Sequence, residues 1–239
     1  MAKKLILVGA GPGDPELISL KGIKALQQAD VVLYDALVHT DLLNYAEKAE
    51  KIYVGKRGGE HNASQDETNR LIAEKLKSNN TVIRLKGGDP FIFGRGQDEI
   101  DFVRKEINNV EIEVIPGITS AIGIPSLHQI PLTKRGNNES VWIVTGTTSK
   151  CELSKDIELA AQSTATVVVL MGMNQLGNII SVFKKFRKES LPVAIIQNGS
   201  LENEKKAVGT LLTIEEIVKA NNIKSPAIIV IGEVINQAK

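Results

Sequence analysis

Short runs of β-branched and aliphatic residues recur along the chain, separated by longer stretches with helical rhythm. This alternation constrains the fold more than any other feature. The first runs are LILVG (5–9), VVLYD (31–35), KIYVG (51–55), TVIRLKG (81–87) and IEVIP (112–116), with helix-like segments at 19–28, 39–44, 64–77 and 97–105. Single helices between short strands predict βαβ units and a mostly parallel sheet. Ser19 and Ser64 stand where N-caps belong, and Glu67 completes a capping box in S-Q-D-E. The rhythm pauses over residues 116–140, rich in proline and glycine, which read as a linker with a short helix at 119–127. It resumes with VWIVTG (141–146), TVVVLMG (166–172), VAIIQNG (193–199) and AIIVIG (227–232), and helical stretches at 174–187 and 213–220. The expectation is two α/β domains, 1–116 and 117–239, with a ligand cleft between them, because such sheets bind at strand carboxyl ends and domain interfaces.

Composition narrows the function classes. The 239 residues, 42% hydrophobic and 24% charged, can build a sizeable core without disulfides. A formal net charge of +1 gives no reason to expect nucleic acid or an anionic membrane as partner. The lone cysteine, Cys151, fits a reducing cytoplasm. No apolar run reaches the roughly 20 residues of a membrane span. The run after Lys3 and Lys4 ends at Gly9, so no signal peptide is expected. His39, His61 and His128 are far apart, and no metal site is expected.

Two glycine loops carry the functional signal. The first, V-G-A-G-P-G-D-P (8–15), follows a strand, and Asp35 ends the next one, as in a dinucleotide fingerprint. Yet Asp14 stands where that fingerprint needs a small residue. Pro12 and Pro15 also remove amide donors that a pyrophosphate would use. The glycines therefore read as room for a backbone turn and close ligand approach, and an NAD-dependent oxidoreductase stays as the alternative from another class. The second loop, R-L-K-G-G-D-P-F-I-F-G-R-G (84–96), repeats the order of strand, glycines, Asp-Pro and helix. Gly87 and Gly88 allow close approach. Asp89 can accept hydrogen bonds, Phe91, Ile92 and Phe93 offer an apolar wall, and Arg84, Lys86 and Arg95 add cations.

Together with VLYDALV, VGKRGG, VIPGITSAIG, IPLTKRG, VTG, LMGM, QNG and SPAIIVIG, these loops make the chain resemble the tetrapyrrole methylase family over nearly its whole length. VGKRGG with RLKGGDPFIFGRG is similar to the branch that C-methylates uroporphyrinogen III. The resemblance implies the family's class III methyltransferase fold and a homodimer. It implies S-adenosyl-L-methionine as donor, S-adenosyl-L-homocysteine as product, and methylation of uroporphyrinogen III at C2 and C7 to precorrin-2, for siroheme or cobalamin. The runner-up within the family is another precorrin methyltransferase. Carried over by position, Pro12, Gly87, Gly88, Asp89, Ile92, Thr119 and Ser120 would contact the cofactor, and Met171, Gly199 and Ala227 would close over it from the second domain. Without the resemblance, Met171 and Ala227 read first as core residues at strand ends. Asp35 and Lys56 match the positions proposed as base and acid. Uroporphyrinogen carries eight carboxylates, so Arg57, Arg84, Lys86, Arg95, Lys134 and Arg135 are candidates to hold them. The chain departs from the family pattern at Lys134 and Thr147, where histidine is common, and at Gln129, where glycine is common.

Overall fold

The computed structural model describes residues 3–55 and 64–237. The chain divides into two compact units, Met1–Thr119 and Ser120–Lys239.

The first unit is built on a five-stranded sheet of order β3-β2-β4-β1-β5. Its strands are β1 (Lys4–Gly9), β2 (Val31–Tyr34), β3 (Glu50–Tyr53), β4 (Thr81–Lys86) and β5 (Glu111–Ile115). Every pairing is parallel. Covered on both faces, the central strands are continuous apolar runs whose alternate side chains serve two cores. Ile6 and Val8 face a cluster with Ala25 and Leu26 of α1 (Leu20–Leu26). Leu5 and Leu7 face Ile72 and Leu76 of α2 (Gln65–Ser78) and Ile100 and Val103 of α3 (Gly96–Glu106). The caps form as the sequence suggests. The Ser19 hydroxyl accepts from the Gly22 amide at 3.1 Å, and Ser64 and Glu67 make the reciprocal capping box. The predicted helix at 39–44 is instead a 3₁₀ helix, Thr40–Tyr45.

The connections leave β1 and β4, which are neighbours, in opposite directions. From β1 the chain crosses by α1, on one face, to β2; from β4 it crosses by α3, on the other face, to β5. That reversal makes the carboxyl ends of β1 and β4 a topological switch point, where open α/β sheets bind ligands.

The second unit departs from the mostly parallel expectation. Its strands are β6 (Val141–Thr145), β7 (Thr166–Leu170), β8 (Pro192–Gln197), β9 (Lys205–Thr210) and β10 (Ala227–Ile231), in order β6-β7-β10-β8-β9. Only β6 and β7 run parallel; β10 is antiparallel to both β7 and β8, and β9 is antiparallel to β8. Helices α5 (Asp156–Gln162), α6 (Leu176–Phe186) and α7 (Ile214–Ala220) follow the sheet order. Phe183, Ile157 and Ile214 from them cover one face. On the other, Ala121 and Ile124 of α4 (Ser120–Leu127) pack with Val168, Ala194 and Val230. Helix α4 ends with the Ile130 amide on the Pro125 carbonyl (2.9 Å) and the Gln129 amide on the Ser126 carbonyl (3.0 Å). This closing turn puts its pivot residue in the left-handed region. Gln129 holds that pivot at φ +56°, a conformation that glycine adopts without a Cβ penalty.

Candidate active site

At the switch point the two glycine loops are joined backbone to backbone. Gly11 and Gly88 form an antiparallel bridge, with the Gly88 amide on the Gly11 carbonyl at 2.7 Å and the return bond at 3.3 Å. The turn after β5 enters the same junction. A Cβ on Gly117 would lie 2.2 Å from the Gly88 carbonyl oxygen, and one on Gly9 would lie 2.4 Å from the Gly117 nitrogen. Gly9 and Gly117 are thus glycines because strand ends meet there without room for side chains. Gly88 is different: its φ of +66° favours glycine, and a Cβ there would meet only the Thr119 Cα, at 3.8 Å, which leaves the room for close ligand approach that the sequence suggests for it.

Several backbone amides at this junction are already engaged. In the second loop Gly87 donates to Asp35 Oδ1 (3.4 Å), Gly88 to Gly11 and Phe91 to Asp89 Oδ1 (2.8 Å), and in the turn after β5 Gly117 donates to Asp89 Oδ2 (3.0 Å). A phosphate nest needs free, convergent amides, and these four are not free to form one. Each Asp89 oxygen accepts one backbone bond, and the side chain knots its loop to the turn at Gly117. Phe91, Ile92 and Phe93 are exposed, as is Leu37 across from Gly87, so an apolar surface borders the engaged backbone. Phe93 and Arg95 stand at φ +54° and +57°. Such left-handed non-glycine residues cluster at functional loops.

Asp35 follows β2 at this edge. Its Oδ1 accepts from the amides of Leu37 (3.1 Å) and Gly87 (3.4 Å), its Oδ2 lies 3.4 Å from Arg84 Nη2, and its side chain is 25% exposed. Behind it lies a buried charge cluster. Arg84 Nε and Lys86 Nζ both reach Glu99 Oε1, at 3.0 and 2.9 Å. Gln65 Nε2 joins them at 3.4 Å, while Glu99 Oε2 has no partner among the described residues. Burial, and then the adjacent Arg84 charge, depress the Lys86 pKa, against which Glu99 pulls upward.

This corrects the expectation for two cations. Arg84 and Lys86 are 5% and 4% exposed and engaged with Glu99, so neither presents a free charge to a substrate carboxylate. Arg95 does remain at the surface; its partner is Asp98 (Nη2 to Oδ2, 2.7 Å), an exposed pair worth less than about 1 kcal/mol. Lys56 and Arg57 lie outside the described residues. Glu99 was not singled out from the sequence. The signal was available in R-L-K, which places two cations on the same face of a central strand. A buried pair of that kind requires a carboxylate opposite, and α3 supplies it.

In the second unit, Met171 ends the turn from β7, Gly199 follows β8 and Ala227 opens β10. The register Ile229 with Val169, and Ala227 with Gln197, brings the three to one edge of the sheet. Met171, Asn198 and Ser200 have φ of +54°, +50° and +70°, so strained backbone collects at that edge too. The Thr147 hydroxyl donates to the Met171 carbonyl at 2.8 Å, and Ile124 of α4 fills the space a Gly199 side chain would need. Met171 is 52% exposed, which removes the alternative of a core residue. Lys134 and Arg135 lie elsewhere. Their turn is anchored by Asn138, whose side-chain amide donates to the Thr164 carbonyl just ahead of β7 (3.1 Å), at the opposite edge of the same sheet. The second unit therefore does not bring these two cations to the Met171 edge.

Two glycine loops joined at a switch point and flanked by an anchored carboxylate define an α/β protein with a ligand-binding edge on its first sheet. Comparison with known proteins makes this specific. The sequence profile of the tetrapyrrole (corrin/porphyrin) methylases matches residues 4–215, and the chain belongs to that family. It is 48% identical to a uroporphyrinogen-III C-methyltransferase of Methanocaldococcus jannaschii, over 99% of this chain and 98% of that one. It is 43% identical to a siroheme synthase of Actinobacillus pleuropneumoniae, over 98% of this chain and 48% of that longer protein. Among solved structures, the uroporphyrin-III C-methyl transferase of Thermus thermophilus complexed with S-adenyl homocysteine superposes with a TM-score of 0.83. The two are 35% identical, with 98% of this chain and 99% of that one covered.

Proposed function

We propose that the protein is an S-adenosyl-L-methionine-dependent C-methyltransferase acting on uroporphyrinogen III. When bound, each of two donor molecules in succession would supply one electrophilic methyl group, one for C2 and one for C7, so that two S-adenosyl-L-homocysteines accompany each precorrin-2. The observation that carries the reading is the Asp35 carboxylate, held at the mouth of the Gly87–Gly88 turn by two amides and a guanidinium. The substrate's pyrrole carbons are themselves nucleophilic, so the chain's tasks are alignment and removal of a proton. Alignment contributes up to about 7–11 kcal/mol, and a positioned base typically about 10²–10⁴-fold. Asp35 presents a partly exposed carboxylate in this site and takes the role of base, while Asp89 commits one oxygen to each of two backbone amides; Lys56 is the acid of the same proposal.

The residues fit the donor. It carries a sulfonium and an amino acid and no phosphate, which suits a loop whose Gly87, Gly88 and Phe91 amides are engaged within the protein. Pro12, Gly87, Gly88, Ile92 and Thr119 border the first sheet's switch point, with Asp89 shaping the loop and Ser120 following directly. Met171, Gly199 and Ala227 share one edge of the second sheet and serve the adenosine end. Arg95 at the loop's end, and Arg57 near Lys56, are the cations assigned to the macrocycle's carboxylates. A homodimer, a cytoplasmic location and a division of labour between catalytic N-terminal and cofactor-binding C-terminal domains belong to the same reading. Among the described residues, no helix is long and apolar enough to cross a membrane.

Incubation with uroporphyrinogen III and methyl-labelled donor tests the proposal. Two labelled methyls per macrocycle are expected. A single methyl, or transfer only to an already methylated precorrin, would favour a different member of the family's pathway chemistry.

A further inference from the structure

We propose that Arg84 is a positioning residue for the Asp35 carboxylate, and that Lys86 is present to neutralise Glu99 so that the Arg84 charge is available to Asp35. The inference rests on the reading of Asp35 as the base.

The charge balance leads to it. Glu99 is completely buried and carries one negative charge, yet two cations reach its Oε1. One is enough to neutralise it. A second buried cation needs its own counter-charge, and among the described residues the remaining carboxylate within reach is Asp35, 3.4 Å from Arg84 Nη2. Two cations thus stand against two carboxylates.

The geometry of the guanidinium supports the same division. An arginine dedicated to a glutamate places its fork on both carboxylate oxygens. Here Arg84 offers Glu99 only Nε, and among the described residues the buried Glu99 Oε2 has no partner. The fork is turned away. Nη1 donates to the carbonyls of Leu85 (2.9 Å) and Leu33 (3.4 Å), and Nη2 faces Asp35. Glu99 and the two carbonyls therefore immobilise the guanidinium from behind, and its outer nitrogen meets the carboxylate.

Exposure sets the order of the groups. The Arg84 side chain is 6% exposed and that of Asp35 25%. Arg84 stands behind Asp35, hidden from solvent, and acts through it. With Oδ1 on two amides and Oδ2 against Arg84, the carboxylate is fixed in rotation, which a base needs to meet one particular proton.

Steady-state kinetics of Arg84→Met, Arg84→Lys and Asp35→Asn test this, with S-adenosyl-L-homocysteine affinity and melting temperature measured for each. Arg84→Met leaves the Glu99–Lys86 pair intact, so the protein should fold and bind S-adenosyl-L-homocysteine as before. Its kcat should fall on the order of 10–100-fold at nearly unchanged KM for the porphyrinogen, the loss expected from a misplaced reacting group. Arg84→Lys keeps the cation but cannot reach Glu99, both carbonyls and Asp35 at once; its kcat should lie between those of Arg84→Met and the wild type. A tenfold rise in porphyrinogen KM with kcat preserved would make Arg84 a substrate-binding residue and overturn the inference. So would wild-type kcat in Arg84→Lys, which remains decisive if Arg84→Met does not fold. Asp35→Asn separates the two layers. Retained activity there overturns the reading of Asp35 as base, whereas an inactive Asp35→Asn beside a fully active Arg84→Met overturns only the role of Arg84.

Discussion

A glycine in a loop can serve a ligand or the protein's own backbone, and Gly9 and Gly117 serve the backbone first. A Cβ on Gly117 would stand 2.2 Å from the Gly88 carbonyl oxygen and 2.7 Å from the Gly9 Cα, with main chain on both sides that cannot yield. Gly117→Ala should therefore destabilise the protein by about 3 kcal/mol, at the upper end of ordinary overpacking costs. It should also weaken S-adenosyl-L-homocysteine binding, since the junction shapes the switch-point edge. Gly136→Ala is the control: φ is +82° but nothing lies within 4 Å of the added carbon, so only the left-handed penalty of about 1–2 kcal/mol applies. Urea midpoints of the two variants check the contrast. Charged residues show the same dependence on surroundings. Arg84 and Arg95 look alike in the sequence, but β4 buries the first against Glu99, and a loop leaves the second exposed.

At the scale of elements, strands that are apolar throughout were legible, because parallel strands covered on both faces must read as unbroken hydrophobic runs. Strand β9 (KKAVGT) was not. It lies at a sheet edge and buries only Ala207 among exposed neighbours, and Lys205 and Lys206 keep that edge from pairing further. Helix α5 is only seven residues long, too short to show a clear helical period. Edge strand β5 is tied to its neighbour by Lys4, whose ammonium meets Glu113 at 2.8 Å and Glu111 at 3.0 Å, and by Lys21, 2.5 Å from Glu113. Hydrogen bonds from Lys21 and then Lys4 depress the Glu113 pKa below its ordinary 4.5. The bonds from Glu113 and then Glu111 raise that of Lys4 above 10.5. Glu113's contribution is therefore present above its ordinary pKa and is lost as pH falls through the depressed value. That of Lys4 is lost only as pH rises through its raised value. Glu113→Gln should lower stability at pH 7 by less than about 1 kcal/mol, because these groups are largely solvated. The difference from wild type should disappear in acid, below Glu113's depressed pKa, when denaturant midpoints are compared across pH.

The whole molecule is two units, each with a sheet covered on both faces. A net charge of +1 over 239 residues supplies no strong global field, so recognition of a polyanionic ring must come from local cations. Ligand linkage gives a whole-molecule test. At a hundred times its dissociation constant, S-adenosyl-L-homocysteine should add about 2.7 kcal/mol, a rise in melting temperature of roughly 5–10 °C. NAD should add nothing, because Asp14 stands where a dinucleotide fingerprint needs a small residue and Pro12 and Pro15 lack the amides a pyrophosphate would use. A shift with NAD and none with S-adenosyl-L-homocysteine in a thermal melt would reverse the assignment.

The sequence by itself determined the alternation of strands and helices, the helix caps at Ser19 and Ser64, the place of both glycine loops and the family, because each is written in local spacing or in contiguous motifs. Only the tertiary structure decided that the second sheet is mixed, that Gly117 closes the junction with Gly9 and Gly88, and that Arg84 and Lys86 face Glu99 rather than solvent. It alone places Lys134 and Arg135 at the sheet edge away from Met171. These depend on which strands become neighbours and which helix covers them, and contacts between residues distant in the chain leave no local signature.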